Sequence, residues 1–271
     1  MAAPRGSEGA SPVALFSPAR FGFFRFMFAG FARKHLRAVR VAHWGLPGAD
    51  DGARPLVVYA NHPSWWDGVA FMLYSTELFP GRRMFIPMEA EALTRYRFMR
   101  RIGVFGVEQN SARGAVAFLR TAKEVLGAPG HMLWMNAPGR FMDVRERPVP
   151  MAPGLVRLAE YAPEARFLPM AIEYPFWAER APEMLCAFGP PVEGLAGLER
   201  AARGEALSRA LEATMDRLAV DAMARDPARF RDLLRGREGM GGVYERWRLA
   251  QAVLRGKPFD PRHDPRVGGK A

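Results

Sequence analysis

Short apolar runs alternate with longer segments of helical periodicity through the middle of this chain, and that alternation is the strongest constraint on its fold. The runs that predict strands are residues 56–60, 84–87, 104–107, 132–135, 167–173 and 184–188. The segments that predict helices between them are residues 65–75, 89–102, 112–125 and 151–161. Strands that alternate with helices indicate an α/β fold with a mostly parallel or mixed sheet flanked by helices.

The remaining segments indicate one α/β domain with an extension at each end. With 271 residues, 49% of them hydrophobic, the chain is long enough to build one large core. We predict a disordered start at 1–12, a membrane-interfacial helical segment at 13–45, the α/β domain at 46–200, a helical extension at 201–256 and a loose tail at 257–271. The extension is predicted to contain amphipathic helices at 205–225 and 243–254, with a basic loop at 231–237 between them.

The segment Asn-His-Pro-Ser-Trp-Trp-Asp, residues 61–67, follows the first predicted strand. On a single helix, a separation of five residues would place His62 and Asp67 about 140° apart around the axis. Pro63 changes this, because the residue before a proline is driven to extended backbone while proline itself suits the first turn of a helix. His62 is therefore expected at the strand tip, and Asp67 one turn into the next helix and facing back.

A histidine held by a carboxylate is the base half of a catalytic triad without a serine of its own. Such a pair suits an enzyme whose nucleophile is a hydroxyl of the substrate. The spacing alone is equally met by an aspartate in a first helical turn beside a packed histidine, but the preceding strand and Pro63 favour the catalytic interpretation. In a parallel sheet the site forms at the carboxyl ends of the strands, where His62, Gln109 and the turn at 138–140 all fall.

The segment at 61–67 resembles the H-x-x-x-x-D block of the glycerolipid acyltransferases, of the lysophosphatidate acyltransferase type. Three later segments resemble that family's other blocks in the right order: Gly-Val-Phe-Gly-Val-Glu-Gln at 103–109, Leu-Trp-Met-Asn-Ala-Pro-Gly-Arg-Phe at 133–141 and Phe-Leu-Pro-Met-Ala-Ile at 167–172. Four ordered blocks are far more specific than any one of them.

This resemblance implies an O-acyltransferase that moves a fatty acyl group from acyl-CoA or an acyl-carrier protein to a hydroxyl of a lysophospholipid-like or glycolipid acceptor. His62 would act as the general base and Asp67 would orient its ring. No cofactor is expected besides the acyl thioester, which is a co-substrate. The alternative from another class is a catalytically silent lipid-binding protein on the same scaffold.

Two positions depart from the family pattern on the acceptor side. The second block usually ends in an arginine that holds the acceptor's phosphate, where this chain has Gln109, and the third usually has Glu where this chain has Pro138. The resemblance therefore transfers the reaction better than the substrate. An uncharged Gln109 is expected to favour a sugar or diester head group over a phosphate monoester, because hydrogen bonds between charged groups are stronger than neutral ones.

Two arginines are candidates to supply the missing positive charge. Arg140 is a candidate anion clamp in the third block, because a guanidinium binds phosphate in bidentate fashion. Its alternative is a salt bridge to Asp143 or Glu146. Arg113 lies at a predicted helix start just past the second block. The predicted acceptor-binding set is Gln109, Arg113, Gly139 and Arg140.

Residues 21–32 contain seven aromatic or Met residues, more than one core-facing stripe of a helix requires. Arg25 interrupts this run, which is too short for a membrane span of about 20 residues. It is followed by the basic residues Arg33, Lys34, Arg37 and Arg40. The pattern favours a helix that lies in the plane of an anionic membrane surface, attached peripherally or monotopically at the cytoplasmic face. A terminal helix packed on the domain core is the alternative.

Charge and cysteine content narrow the other function classes. The net charge of +11 favours anionic partners, but no module of interleaved basic and aromatic residues is present, so no nucleic acid partner is expected. The histidines and the single Cys186 show no metal-ligand spacing, and no metal is expected. Cys186 lies in an apolar strand pattern and is interpreted as a buried structural thiol.

Overall fold

The computed structural model describes residues 10–48, 52–237, 247 and 250–256. Its strands, in chain order, are β1 (Ala38–Ala42), β2 (Leu56–Ala60), β3 (Arg83–Glu89), β4 (Val104–Val107), β5 (His131–Asn136), β6 (Arg166–Glu173), β7 (Glu183–Phe188) and β8 (Phe230–Arg235). They form one eight-stranded sheet in the order β4-β3-β5-β2-β6-β7-β1-β8.

Five neighbouring strands of this sheet run in the same direction, from β4 at one edge through β3, β5 and β2 to β6. β7 is antiparallel to β6, β1 is parallel to β7, and β8 is antiparallel to β1 at the other edge. The carboxyl ends of the five parallel strands therefore lie together at one end of the sheet. The predicted site residues follow β2, β4 and β5 at this end.

Helices cover both faces of the sheet. They are α1 (Pro12–Leu15), α2 (Pro18–His35), α3 (Asp67–Leu78), α4 (Ala90–Arg95), α5 (Ala112–Val125), α6 (Pro153–Tyr161) and α7 (Arg200–Ala224). Helices α2, α3 and α4 pack on one face, and α1, α5, α6 and α7 pack on the other. The α/β class, with a mixed sheet flanked by helices, is confirmed.

Strand β2 shows how the sequence builds two cores at once. Val57 and Tyr59 point to the face covered by α5, α6 and α7, whereas Val58 and Ala60 point to the face covered by α2 and α3. Every residue of the strand is buried because helices cover both faces. The strand that carries the candidate motif is thus fixed from both sides.

Most predicted elements occur within a few residues of their expected bounds. The strands at 56–60 and 104–107 and the helix at 112–125 have the bounds that the sequence predicts. The helix predicted at 89–102 is wrong in detail, because it divides into α4 and a 3-10 turn at Arg97–Ile102. Gly103 ends this turn with a φ of 95°, and β4 follows directly.

Two strands were not predicted: β1 lies within the segment expected at the membrane interface, and β8 covers most of the expected basic loop. Their charges give them the appearance of exposed segments. Arg40 of β1 is buried, and it forms ion pairs with Glu183 of β7 (Nε to Oε2, 3.0 Å) and with Asp232 of β8. These partners neutralise the guanidinium inside the sheet. The sheet therefore begins before residue 46 and includes a strand beyond residue 200.

The predictions for the chain ends are only partly within the described residues. Residues 1–9 and the tail at 257–271 lie outside them, as does half of the helix predicted at 243–254, whose described residues, 247 and 250–254, are helical. Pro12, predicted to be disordered, instead begins α1, which the Ser11 side chain caps. The helix predicted at 205–225 is present and begins earlier, at Arg200. Within the described part of the chain, none of the helices combines the length and apolar character that a bilayer span requires.

Candidate active site

The structure brings His62 and Asp67 into contact at the carboxyl end of β2. The strand ends at Ala60 and α3 begins at Asp67, so the intervening turn reverses the direction of the side chains. The His62 Nδ1 atom lies 2.5 Å from Oδ2 of Asp67. Asp67 is the first residue of the helix, one turn earlier than the sequence suggests.

Asp67 is fully buried, and both of its oxygens have hydrogen-bond partners. Tyr174 donates its hydroxyl to Oδ1 at 2.7 Å, and the Ser64 backbone N–H donates to Oδ2 at 3.4 Å, beside the His62 ring. Burial raises the pKa of Asp67, while the bonds from His62 and Tyr174 act in the opposite direction. The carboxylate is therefore held in place by its neighbours despite its desolvation.

Tyr174 is a fixed hydrogen donor to Asp67. Burial, together with the adjacent Asp67 charge, raises the pKa of Tyr174 well above its ordinary value. The phenol therefore keeps its proton at neutral pH and donates it to the Asp67 carboxylate. It follows β6 directly, so the strand beside β2 supplies the second support of the pair.

The backbone around His62 is fixed by β6 on one side and by the loop that follows β5 on the other. The Asn61 amide donates from Nδ2 to the Ile172 carbonyl at 2.9 Å and accepts from the Ile172 N–H at 2.8 Å. Its side chain thus extends the β2–β6 ladder by one residue. On the other side, the Met142 N–H donates to the His62 carbonyl at 2.9 Å. The imidazole is attached to backbone held from both sides.

The His62 side chain is 18% exposed, so the ring reaches solvent while its Nδ1 atom faces Asp67. Phe141 stacks on it with ring centroids 4.2 Å apart and is itself 60% exposed. With Nδ1 occupied by the carboxylate, Nε2 is the nitrogen left for a substrate. The arrangement can accept a proton from a hydroxyl placed at that nitrogen.

The predicted acceptor-binding residues are distributed unevenly along this end of the sheet. Gly139, with a φ of 66°, and Arg140 follow β5, which is adjacent to β2. Arg140 forms an ion pair with Glu146, one of the two salt bridges considered from the sequence. Gln109 and Arg113 are exposed beyond β4, with β3 and β5 between that strand and β2. Three strand spacings place the end of β4 about 14 Å from β2.

Three contributors to the site were missed in the sequence. The sequence predicts no role for Tyr174, and it gives Phe141 and Ser64 only as members of the blocks at 133–141 and 61–67. The signal for Tyr174 was available, because the residue after a parallel strand next to β2 must lie at the same end of the sheet. Nothing in the sequence placed Phe141 over the imidazole.

The two tryptophans of the 61–67 segment differ in their surroundings. Trp66 is half-buried and stacks on Phe31 of α2 with ring centroids 5.1 Å apart. Trp65 is 66% exposed and lies edge-on to Phe31, at 6.3 Å. One set of α2 side chains packs on the core, namely Phe21, Phe24, Phe28 and Ala29. Another set is exposed, namely Phe23, Phe26, Met27 and Phe31. The exposed aromatic surface of α2 is thus continuous with the candidate site.

Cys186 of β7 is fully buried, and burial raises the pKa of its thiol well above the ordinary value. The protonated thiol is a poor nucleophile, in agreement with a structural role. Among the residues that the structure describes, no group of three or more His, Cys, Asp and Glu side chains is arranged to hold a metal ion.

Comparison with known families agrees with this geometry. A family model described as Acyltransferase matches residues 36–173, from just before β1 to the end of β6, and includes both His62 and Asp67. Comparison with individual curated proteins gave no match. The family match covers half of the chain and all five parallel strands of the sheet. The chain therefore belongs to the acyltransferase family.

Proposed function

We propose that this acyltransferase moves a fatty acyl group from acyl-CoA or an acyl-carrier protein thioester to a hydroxyl of a lipid acceptor, with His62 as general base and Asp67 as its orienting carboxylate. The observation that carries the proposal is the contact of 2.5 Å between His62 Nδ1 and Asp67 Oδ2, in a ring whose other nitrogen remains for substrate.

The proposed reaction needs one base and one good leaving group. The acceptor hydroxyl gives its proton to His62 Nε2 as its oxygen bonds to the thioester carbonyl carbon. The resulting tetrahedral intermediate collapses, its carbon–sulfur bond breaks, and the imidazolium returns the proton to the departing sulfur. Asp67 stabilises the imidazolium between these two steps. The products are the acylated lipid and a free thiol, and no cofactor takes part.

Backbone N–H groups at the start of α3 are suitable oxyanion donors. The first turn of a helix leaves N–H groups without intrahelical partners, and such donors stabilise charge that develops on a carbonyl oxygen. Helix α3 begins at Asp67, so its first turn adjoins the pair. With these donors, no side chain next to His62 is needed to stabilise the oxyanion.

The acceptor proposed here carries less charge than a phosphate monoester, or has its phosphate bound elsewhere than in the second block. Gln109 has no charge, and Arg140 is already paired with Glu146. A phosphate would have to displace Glu146 or reach the exposed Arg113. A glycolipid or diester head group requires neither step. Profiling acylated lipids in cells that lack or overproduce the protein would separate the two acceptor classes.

We place the reaction at the cytoplasmic surface of a membrane, with the protein attached peripherally. The support is the exposed set Phe23, Phe26, Met27 and Phe31 beside Trp65, with Arg33 and Lys34 in the last turn of α2. Anionic vesicles should sediment the full chain but not a Phe23→Glu/Phe26→Glu variant. The matched control is Val220→Glu/Met223→Glu, which alters exposed apolar residues of α7. Equal loss in both variants would refute the anchor.

The test of the enzymatic proposal is release of free thiol from acyl-CoA in the presence of a panel of lipid acceptors. His62→Ala should lower the rate by about 100-fold or more, because a positioned base contributes at least that factor. His43→Ala, in an exposed histidine outside the site, is the matched control. A rate above about a tenth of wild type in His62→Ala would end the claim. Lipid binding without any thiol release would instead support a silent lipid-binding protein.

A further inference from the structure

The segment that leads from the end of α4 towards β4 is strongly basic and has no role in the proposed mechanism. Residues 94–101, which we call the arginine segment, have the sequence Thr-Arg-Tyr-Arg-Phe-Met-Arg-Arg and contain no acidic residue. Residues 94–98 are exposed, and so is Arg101. Two of the exposed residues are aromatic, with Tyr96 49% and Phe98 37% accessible to solvent. Basic and aromatic side chains therefore alternate at this surface.

The arginine segment packs against the amino-terminal half of α2. The Phe98 ring stacks on that of Phe24, with ring centroids 4.6 Å apart and the ring planes inclined by 15°. Phe24 in turn contacts the exposed Phe23 edge to face, at 5.4 Å between centroids. The Ser17 N–H donates to the Arg101 carbonyl at 2.8 Å, directly before α2 begins. The exposed aromatic surface of α2 therefore continues onto the arginine segment.

Positive charge lies at both ends of α2. In a 3-10 helix, side chains three residues apart eclipse each other, so Arg101 shares a face with Phe98, which stacks on α2. Arg20, in the first turn of α2, is exposed at the same end of the helix. At the other end, Arg33 and Lys34 are exposed in the last turn. The exposed aromatic side chains of α2 thus lie between two basic groups.

The arginines are available to an anionic partner. Within the described residues, neither Arg97 nor Arg101 forms an ion pair with a carboxylate. Arg95 is paired with Glu91, at 3.7 Å between Nη2 and Oε1, but both side chains are at least 74% exposed. Ion pairs as exposed as this one contribute little and are screened by salt. An anionic group can therefore bind here without displacing a buried carboxylate.

A bilayer that contains anionic lipids has the chemistry that this surface requires. Amphipathic aromatic side chains accumulate at the level of the lipid head groups, and arginines pair there with the phosphates. The adjacent side chains Phe26 and Met27 of α2 are exposed and can enter the boundary of the acyl chains. A soluble anion would pair with the arginines but would leave these apolar side chains in water.

We propose that the arginine segment is a second membrane-contact element, which binds the phosphates of anionic lipids and holds α2 in the plane of the bilayer. The inference rests on the proposed attachment through α2 and adds lipid selectivity to it. Each arginine near an anionic surface strengthens binding by about fivefold. With contacts at both ends, α2 cannot pivot about one of them. Phe31 and Trp65, which lie edge-on to each other beside the candidate site, are then held at the membrane.

The test compares binding of the full chain to two kinds of vesicle, one of phosphatidylcholine alone and one of phosphatidylcholine mixed with phosphatidylglycerol. Sedimentation gives a partition coefficient for each. Arg97→Gln/Arg101→Gln should lower the coefficient on the anionic vesicles by about 25-fold and leave that on the neutral vesicles within about twofold of wild type. The matched control is Arg120→Gln/Lys123→Gln, which removes two exposed charges from α5 on the opposite face of the sheet and should change neither coefficient.

Two further measurements separate lipid binding from damage to the fold. Arg97→Lys/Arg101→Lys keeps both charges and should keep most of the preference for anionic vesicles. Raising the salt concentration should weaken the binding of wild type to anionic vesicles more than that of Arg97→Gln/Arg101→Gln, because salt screens charges at a surface. Thermal unfolding shows whether each variant is folded.

The outcomes distinguish this inference from the attachment through α2. Equal binding of wild type to both kinds of vesicle, or a loss in Arg97→Gln/Arg101→Gln no larger than in the α5 control, would overturn the role of the arginine segment and leave the α2 anchor intact. An unchanged preference for anionic vesicles, together with lost binding of an acyl-carrier protein, would assign the segment to the thioester donor instead. Failure of wild type to bind either vesicle would overturn the attachment itself. Thiol release measures acyl transfer separately from all of these.

Discussion

The groups at the carboxyl ends of strands β2 and β4 differ in how firmly the fold holds them. At the end of β2, Asp67 is buried and holds hydrogen bonds from His62 and Tyr174. At the end of β4, Gln109 and Arg113 are exposed. The first group is fixed by the fold before any substrate arrives. The side chains of the second group face solvent.

This difference predicts that the reaction and the choice of acceptor are separable in this protein. Removing one partner from a buried hydrogen-bonded group leaves the other unsatisfied and costs about 1–3 kcal/mol, whereas truncating an exposed polar side chain usually costs little. Substitutions at the β2 end should therefore change the chemical step for every acceptor. Substitutions at the β4 end should change which acceptor is preferred.

Among the substitutions that test this comparison, Asp67→Asn should cause the largest loss of activity. An asparagine at this position can turn its NH₂ group to His62 Nδ1, which places the ring proton on Nε2 and removes the base. We expect the thiol-release rate to fall by about 100-fold or more with every acceptor. Stability should not fall with it. Burial raises the pKa of Asp67 above its unfolded value, so ionised Asp67 contributes less stability above that pKa than below it.

Two measurements therefore test Asp67→Asn. One gives initial rates with the acceptor panel, and the other gives thermal unfolding at pH 7.5. Activity lost at an equal or higher Tm identifies a catalytic role, since a purely structural aspartate would lower both. An activity within tenfold of wild type would show that the β2 end is not built for catalysis. The comparison between the two ends would then have no functional meaning.

Tyr174→Phe should have an intermediate effect, about tenfold on kcat, because the phenol touches Asp67 and not the substrate. It also has a pH signature. The Tyr174 hydrogen bond lowers the pKa of Asp67, so its loss raises that pKa further. The acidic limb of the pH–rate profile, where protonation of Asp67 releases His62, should then move to higher pH. An unchanged limb with lower kcat would make Tyr174 a packing residue only.

The sequence predicted the parallel part of the fold well because its signals there are local. The strand at 56–60 is buried throughout, as a short apolar run predicts, and the helix at 112–125 buries one face, as helical periodicity predicts. Strands β1 and β8 were missed because their identity depends on a distant partner. Arg40 looks exposed in a sequence, and only its pairing with Glu183 of a strand 143 residues away makes it a core residue.

The same distinction applies to the site. The contact between His62 and Asp67 followed from five residues and one proline, so spacing could predict it. Tyr174 and Phe141 join that pair through β6 and β5, and their positions require the strand order. The separation of Gln109 from His62 also depends on that order, because nothing in the chain near β4 shows that two strands intervene. Contacts within one sequence block could therefore be predicted from the sequence, whereas distances between blocks could not.

Gln109→Arg should have the smallest effect and tests the β4 end directly. An arginine there restores the charge that the family usually has, and hydrogen bonds to a charged group are worth about 1.5–3 kcal/mol against about 1 for neutral ones. Because the side chain is exposed, solvent screens most of that gain. We expect KM for lysophosphatidate to fall by about three- to fivefold, with kcat and the KM for an uncharged acceptor unchanged.

Arg113→Ala is the matched control, since it removes a charge from the same exposed surface. It should raise KM for lysophosphatidate only if that residue already binds phosphate. A change in kcat from either variant would show that the β4 end takes part in the chemical step. No change in KM with Gln109→Arg, in an enzyme that already prefers lysophosphatidate, would show that Gln109 does not set the head-group preference.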